Sequence, residues 1–196
     1  LPLRLKIALD VGAALRRLHY FGVAVGALDL CSVCVVSSGF SCFQFDGATA
    51  APNAVLVDCA RAGDVALLQA APTDPSAVPF VAPELVVASS SSVAGAAAGA
   101  PVRVALERST AASDVYAYAL LVVALLTLEQ PYADSKGQAW DTPGELLAKV
   151  AREHLLPTLT RMEFQPQMRA VLEACLAADP AQRPGLECVV HALCQC

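Results

Sequence analysis

The sequence predicts a mainly α-helical domain with one small β-hairpin near its start, on three observations. Apolar residues recur every three and four positions through Leu3 to Tyr20, the spacing of a single buried helix face. Two short β-branched runs follow, Val33 to Val36 and Ala54 to Val57, and such runs bounded by turn-forming residues read as paired strands. From Ser113 to the end the chain carries helical segments that open on serine or proline, residues suited to first turns. Of the 196 residues 56% are hydrophobic and 16% charged, against about 25% charged in an average soluble domain. The chain can bury a sizeable core, which excludes wholesale disorder, and residues 1–196 are expected to form one domain.

The first helix places Leu5, Ala8, Leu9, Gly12, Leu15 and His19 on its apolar stripe, with Arg4, Arg16 and Arg17 between them, and Gly22 ends it. The two strands are joined by a long hairpin loop, residues 37–53, containing Ser, Gly and Pro. Prolines at 72, 75, 79 and 83 forbid a long helix between Asp58 and Pro83, so this stretch is extended. Ser89 to Ala100 is nearly all Ser, Ala and Gly, too poor in large side chains to repay the entropy of ordering, and reads as a surface insertion over 89–100. Four helices follow: Ser113 to Leu128 with Ser113 as its cap, one beginning near Pro143 and ending by Leu156, one across Pro166 to Ala178, and one from Pro184 to Cys194.

Composition also narrows function. Eighteen acidic and thirteen basic residues leave a net charge of -5, and no Lys/Arg cluster supplies the phosphate-neutralising stripe of a nucleic-acid binder. The longest apolar stretch, Val115 to Leu128, has about fourteen residues where a membrane span needs about twenty, so no membrane span is expected. Leu1 to Lys6 lacks the long apolar run of a secretory signal, which predicts a cytoplasmic protein with reduced thiols. Cys31 and Cys34 form a CxxC and Cys194 and Cys196 a CxC, which together spell a four-thiolate zinc site in one reading. In the other, Cys31 and Cys34 are small hydrophobes of the strand-like run around Val33, Val35 and Val36, and no metal is expected.

Four short motifs then occur in a telling order. Phe80-Val81-Ala82-Pro83-Glu84 is similar to the Ala-Pro-Glu closing a kinase activation segment, and Ser113-Asp114-Val115-Tyr116-Ala117-Tyr118-Ala119 to the Ser-Asp-Val-Tyr-Ser-Phe-Gly that opens the central buried helix of the same lobe. Leu126-Thr127 and Pro131-Tyr132 fall where that helix ends, and Asp179-Pro180-Ala181-Gln182-Arg183-Pro184 resembles the Asp-Pro-x-x-Arg-Pro before a late helix. Across essentially its whole length the chain thus resembles the C-terminal lobe of a eukaryotic protein kinase, most closely the tyrosine-kinase-like group. The resemblance implies an ion pair between Glu84 and Arg183 that ties the activation segment to the late helices. It also implies that Asp114 holds the backbone of the catalytic loop.

The same alignment removes most of the chemistry. Phosphoryl transfer requires a base, magnesium ligands, a lysine on the nucleotide phosphates and a covering loop. Val25-Gly26-Ala27-Leu28-Asp29-Leu30-Cys31-Ser32 matches His-Arg-Asp-x-x-x-x-Asn, so Ala27 occupies the base position and can neither accept nor orient a proton. Gly26 and Val25 replace the arginine and histidine, and Ser32 replaces the metal-binding asparagine. Asp29 reads as an exposed loop acid. The Asp-Phe-Gly motif falls at Val57-Asp58-Cys59-Ala60, which keeps only Asp58. Asp58 and Ser32 are therefore vestigial Mg-ATP positions, and a lone carboxylate is a poor magnesium site. No Gly-rich loop or strand lysine is found among these residues, so the N-terminal lobe is expected to be absent. His19, His154 and His191 stand singly and read as packing or surface residues, and Asp134, Trp140 and Asp141 as a solvated or docking loop.

The sequence therefore predicts a pseudokinase-like domain, non-catalytic, that binds proteins or acts as a scaffold in signalling, in part through the face an N-lobe would cover, with no cofactor. Two alternatives stay open. One is a Ser/Thr or Tyr protein kinase that uses Mg-ATP with its N-lobe outside this chain, and the other a cysteine-rich metal-binding helical domain.

Overall fold

A hydrophobic helix with no polar stripe has to be surrounded, and α2 (Ala111–Thr127) meets that condition: every residue from Ser113 to Ala124 is buried. The computed structural model describes residues 2–26, 28–36, 53–57, 78–88, 102–105, 108–133, 142–157, 159 and 166–195. Helices α1 (Pro2–Tyr20) and α4 (Pro166–Cys175) pack against α2, α5 (Leu186–Cys194) packs against α1 and α4, and α3 (Pro143–Glu153) packs against the turns Val78–Phe80 and Pro83–Leu85. The described residues also form two antiparallel strand pairs, β1 (Val33–Val36) with β2 (Asn53–Leu56) and β3 (Val86–Ala88) with β4 (Val102–Val104). None of the described helices is long and apolar enough to cross a membrane.

Local chemistry sets the ends of these elements. Ser113 is not the cap of α2, because Thr110 is: Thr110 Oγ1 accepts from the Ser113 N–H at 3.2 Å, and Ser113 Oγ accepts from the Thr110 N–H at 2.8 Å. This reciprocal capping box starts the helix at Ala111, two residues before Ser113, and Leu128 ends it at φ 61. Pro143 does occupy the first turn of α3, with Thr142 as cap. That helix stops at Glu153, where His154 takes φ 50, short of Leu156. Helix α4 stops at Cys175 instead of Ala178, and Pro184 precedes α5 instead of entering it, since Gly185 is the cap.

Helix α1 packs against α2, α5 and β2. Gly12 makes the closest approach: a Cβ there would lie 2.6 Å from Tyr118 Oη and 2.6 Å from Val190 Cγ2. Tyr118 buries its ring and donates its hydroxyl to the Ala8 carbonyl at 2.8 Å. The polar edge of α1 holds the hairpin, for Asp10 Oδ2 accepts from the Ala54 N–H at 3.0 Å and Lys6 Nζ reaches Asn53 Oδ1 at 2.9 Å. The second strand therefore begins at Asn53, in the register Val33 to Leu56 and Val36 to Asn53.

Two findings depart from expectation. The β3–β4 hairpin is additional, with Val86 opposite Val104 and Ala88 opposite Val102, so the chain departs at Ala88 and returns beside it; the insertion 89–100 itself, like the loop 37–52, lies outside the described residues. Cys31 and Cys34 are exposed, as are Cys188 and Cys194, and among the described cysteines Cys175 is buried. With α1 against the face of Ala54 and Leu56, no described element covers the opposite face of this sheet, where Val36 and Val55 are about half exposed. No group of three or more His, Cys, Asp or Glu among the described residues is placed to hold a metal ion.

Candidate functional site

Asp114 sits in the first turn of α2, where the helix dipole favours a carboxylate, and is only 1% exposed. A buried charge needs several donors, and Asp114 has three. Its Oδ2 accepts from the Val25 N–H at 2.7 Å and its Oδ1 from the Gly26 N–H at 2.8 Å. His19 Nε2 lies 2.9 Å from Oδ2. The loop after α1 is thus held by its backbone from a residue nearly ninety positions away. Gly26 takes φ +75 in this grip, a conformation that favours glycine.

His19 is the residue that sequence reasoning missed. It lies on the apolar stripe of α1, where a histidine reads as packing, and its partner is 95 positions distant. Asp29 requires a correction too: it is buried, not an exposed loop acid. It caps the short turn Leu30–Ser32, accepting from the Ser32 N–H at 2.8 Å and the Ser32 hydroxyl at 2.9 Å. The Ser32 hydroxyl is accordingly turned onto Asp29, whose carboxylate is engaged by the turn it caps. Ala27 and Asp58 lie outside the described residues.

The second node joins Glu84 and Arg183. Arg183 Nη1 donates to Glu84 Oε1 at 2.6 Å and Nη2 to Oε2 at 2.8 Å, a bidentate fork suited to a planar guanidinium. The same side chain donates to the carbonyls of Ala112 and Ala177, both at 2.9 Å, and its charge lies 4.9 Å from the Tyr116 ring centre. Glu84 belongs to the turn Pro83–Leu85, and Arg183 follows the turn Pro180–Gln182, capped by Asp179. One cation therefore fastens the chain near residue 84, the start of α2 and the end of α4.

Beside this node the Tyr116 and Tyr132 hydroxyls meet at 2.6 Å. Burial pushes both phenols above their ordinary range; for Tyr116 the hydrogen bond from Tyr132 and the Arg183 charge pull the other way without overcoming it. Burial also raises Tyr118, and pushes the Cys175 thiol up to about 12. These groups stay protonated at neutral pH and are packed as neutral side chains. The arrangement as a whole positions a loop and a turn; among the described residues the one carboxylate on the loop, Asp29, is already occupied.

No protein-family model matches the chain. Over 83 residues, 42% of this chain and 13% of the relative, it is 32% identical to Serine/threonine-protein kinase STY17 of Arabidopsis thaliana. Over 81 residues, 41% of this chain and 16% of the relative, it is 32% identical to Scaffold protein ILK of Homo sapiens, and equally to that of Mus musculus. The matched stretch spans less than a fifth of the length of these curated relatives. Over about two fifths of its own length, then, the chain has a kinase-like relationship, with one relative named for phosphate transfer and the other for scaffolding.

Proposed function

We propose that this chain is a kinase-like domain of the C-lobe type that does not transfer phosphate and works as a protein-binding or scaffold module, inside the cell and without a cofactor. The observation that carries this reading is the pairing of a retained framework with an emptied reaction site. Asp114 grips Val25 and Gly26 by their backbone, and the next residue, where the resemblance puts the base, is Ala27. Kinases contribute positioning and electrostatics almost exclusively, so a catalytic loop with Ala27 for the base and Ser32 for the asparagine lacks much of the contribution. The likeness to a scaffold protein supports the same reading, the face an N-lobe would cover is one place for a partner, and the β1–β2 hairpin offers exposed Val36 and Val55 besides.

The likeness to a plant Ser/Thr kinase supports a second reading, an active kinase that draws its nucleotide-gripping lobe from elsewhere and uses Asp58 and Ser32 toward Mg-ATP. A radiolabelled phosphate-transfer assay with Mg-ATP, run on this chain and on Asp58→Ala, separates the two. The expected result is no transfer by either protein and no thermal stabilisation by Mg-ATP. Transfer that disappears in Asp58→Ala overturns the non-catalytic reading.

A further inference from the structure

The end of α1 and the start of α5 enclose an open cleft of about 1160 Å³, with Arg16, Arg17, Tyr20 and Phe21 on one wall and Leu186 and Glu187 on the other. None of these six belongs to the Asp114 or Glu84–Arg183 nodes, although His19, which meets Asp114, also lines the cleft. Tyr20 is 85% exposed and Phe21 66%, and their rings meet edge to face at 5.3 Å. Neither aromatic residue is used by the core, although large rings are where burial gains most. Both arginines are exposed, and among the described residues neither has an ion-pair or hydrogen-bond partner. Two guanidiniums against one carboxylate make a positive spot on a molecule of net charge -5. Such a spot draws acidic partners and repels basic ones. Tyrosine, phenylalanine and arginine are also the residue types enriched in protein interfaces, with tyrosine and arginine frequent among the energetic anchors.

We propose that the cleft between α1 and α5 is a docking site for an acidic peptide segment of a partner protein. Carboxylates of the segment pair with Arg16 and Arg17, and a neighbouring apolar side chain rests on Tyr20 and Phe21. The inference rests on the reading of the chain as a protein-binding module and gives that module a second surface of defined chemistry. A single-stranded nucleic acid also offers anions and stacking faces, but two arginines do not make a phosphate-tracking groove, so the peptide is favoured.

The test is selection of short displayed peptides on the intact chain, followed by solution affinities of the selected peptides for wild type, Arg16→Glu/Arg17→Glu and a control, Arg152→Glu, at an exposed position on α3. The expected peptides are rich in Asp and Glu beside an aromatic or aliphatic residue. Their binding weakens at least about tenfold in the double variant, in line with loss and reversal of charge pairs at an interface, weakens with added salt, and is unchanged in Arg152→Glu. Both arginines are exposed, so the double variant keeps a cooperative thermal transition, lowered only by the small cost of acids near a helix C-terminus, and this reports that the fold is intact. Failure to select any peptide, selection of peptides without acidic residues, or equal binding to the double variant overturns the proposal. Tighter binding of a single-stranded oligonucleotide also overturns it, as does self-association that the double variant abolishes, which assigns the cleft to a second copy. Selected peptides that bind elsewhere sink this cleft and leave the protein-binding reading standing, whereas phosphate transfer sinks that reading and leaves peptide affinity at the cleft to be judged by the arginine variants.

Discussion

Arg183 places two guanidinium nitrogens on the two Glu84 carboxylate oxygens, at 2.6 and 2.8 Å, across 99 positions of chain. The arginine side chain has no exposure, whereas Glu84 keeps 24%. The pair is therefore asymmetric: Arg183 has no route to solvent if its partner is removed, and Glu84 has one.

That asymmetry predicts unequal mutants. Arg183→Ala loses the fork, the bonds to Ala112 and Ala177 and the contact with Tyr116 together, and breaking a buried pair costs about 3 to 5 kcal/mol. Glu84→Ala strands a cation that retains its carbonyl acceptors, so its cost is expected at the lower end of that range. Urea unfolding followed by circular dichroism measures both, and an Arg183→Ala midpoint equal to wild type contradicts the role given to the pair.

Asp114→Asn is expected to release the loop after α1. An amide keeps one acceptor oxygen but turns an N–H₂ toward the Val25 or Gly26 N–H, leaving a buried donor unpaired at a cost of about 1 to 3 kcal/mol. Hydrogen exchange at Val25 and Gly26 should accelerate before that of the α2 amides does. Unchanged protection at both residues means Asp114 is not what holds the loop.

The same node shows what the sequence could and could not reveal. The apolar run of α2 and its acid are visible in order, and both ends of the Glu84–Arg183 pair sit in motifs that are local. His19 is not visible, because nothing near it in the chain names a partner 95 positions away. The burial of Asp29 is not visible either, because a capped turn of three residues leaves no periodic trace. Strands of three residues, such as β3 and β4, are too short for alternation to register. Cys31 and Cys34 illustrate a different limit: apolar neighbours identify a strand, but Cys31 falls in the turn Leu30–Ser32 before it, and Cys34 lies opposite Val55 on the face away from α1.

Gly12→Ala pits two local effects against each other. Alanine improves helix propensity by about 1 kcal/mol, but its Cβ would stand 2.6 Å from Tyr118 Oη and Val190 Cγ2. Tyr118 cannot retreat without giving up its bond to the Ala8 carbonyl, so overpacking, typically about 1 to 3 kcal/mol, should prevail. The variant is expected to melt below wild type, and a higher melting temperature would show that α1 can shift.

Thiol accessibility follows from the exposure of the cysteines. In the native protein at neutral pH, Cys31, Cys34, Cys188 and Cys194 should accept iodoacetamide readily, while Cys175, buried and with its thiol pushed up to about 12, should not. Peptide mass analysis after a timed pulse reads this directly. Labelling of Cys175 as fast as the others would place it outside the core.

Alkaline pH should destabilise the fold earlier than it would with an ordinary interior. Burial raises Cys175 from 9.0 to about 12 and lifts Tyr116, Tyr118 and Tyr132 above 10.0. Each group is neutral when protonated, so above its unfolded value the unfolded chain releases a proton that the folded chain keeps. The folded state then binds more protons, and stability falls as pH rises. The contribution of Cys175 is complete below pH 9.0 and is lost on the way to about 12, at up to about 1.4 kcal/mol per pH unit. The tyrosines add to the slope above 10.0. Urea midpoints measured upward from neutral pH should therefore decline from pH 9.0, and Cys175→Ala, although less stable at neutral pH, should decline less between 9.0 and 10.0. Parallel curves for the two proteins in that interval would mean that the Cys175 thiol titrates alike in the folded and unfolded chain.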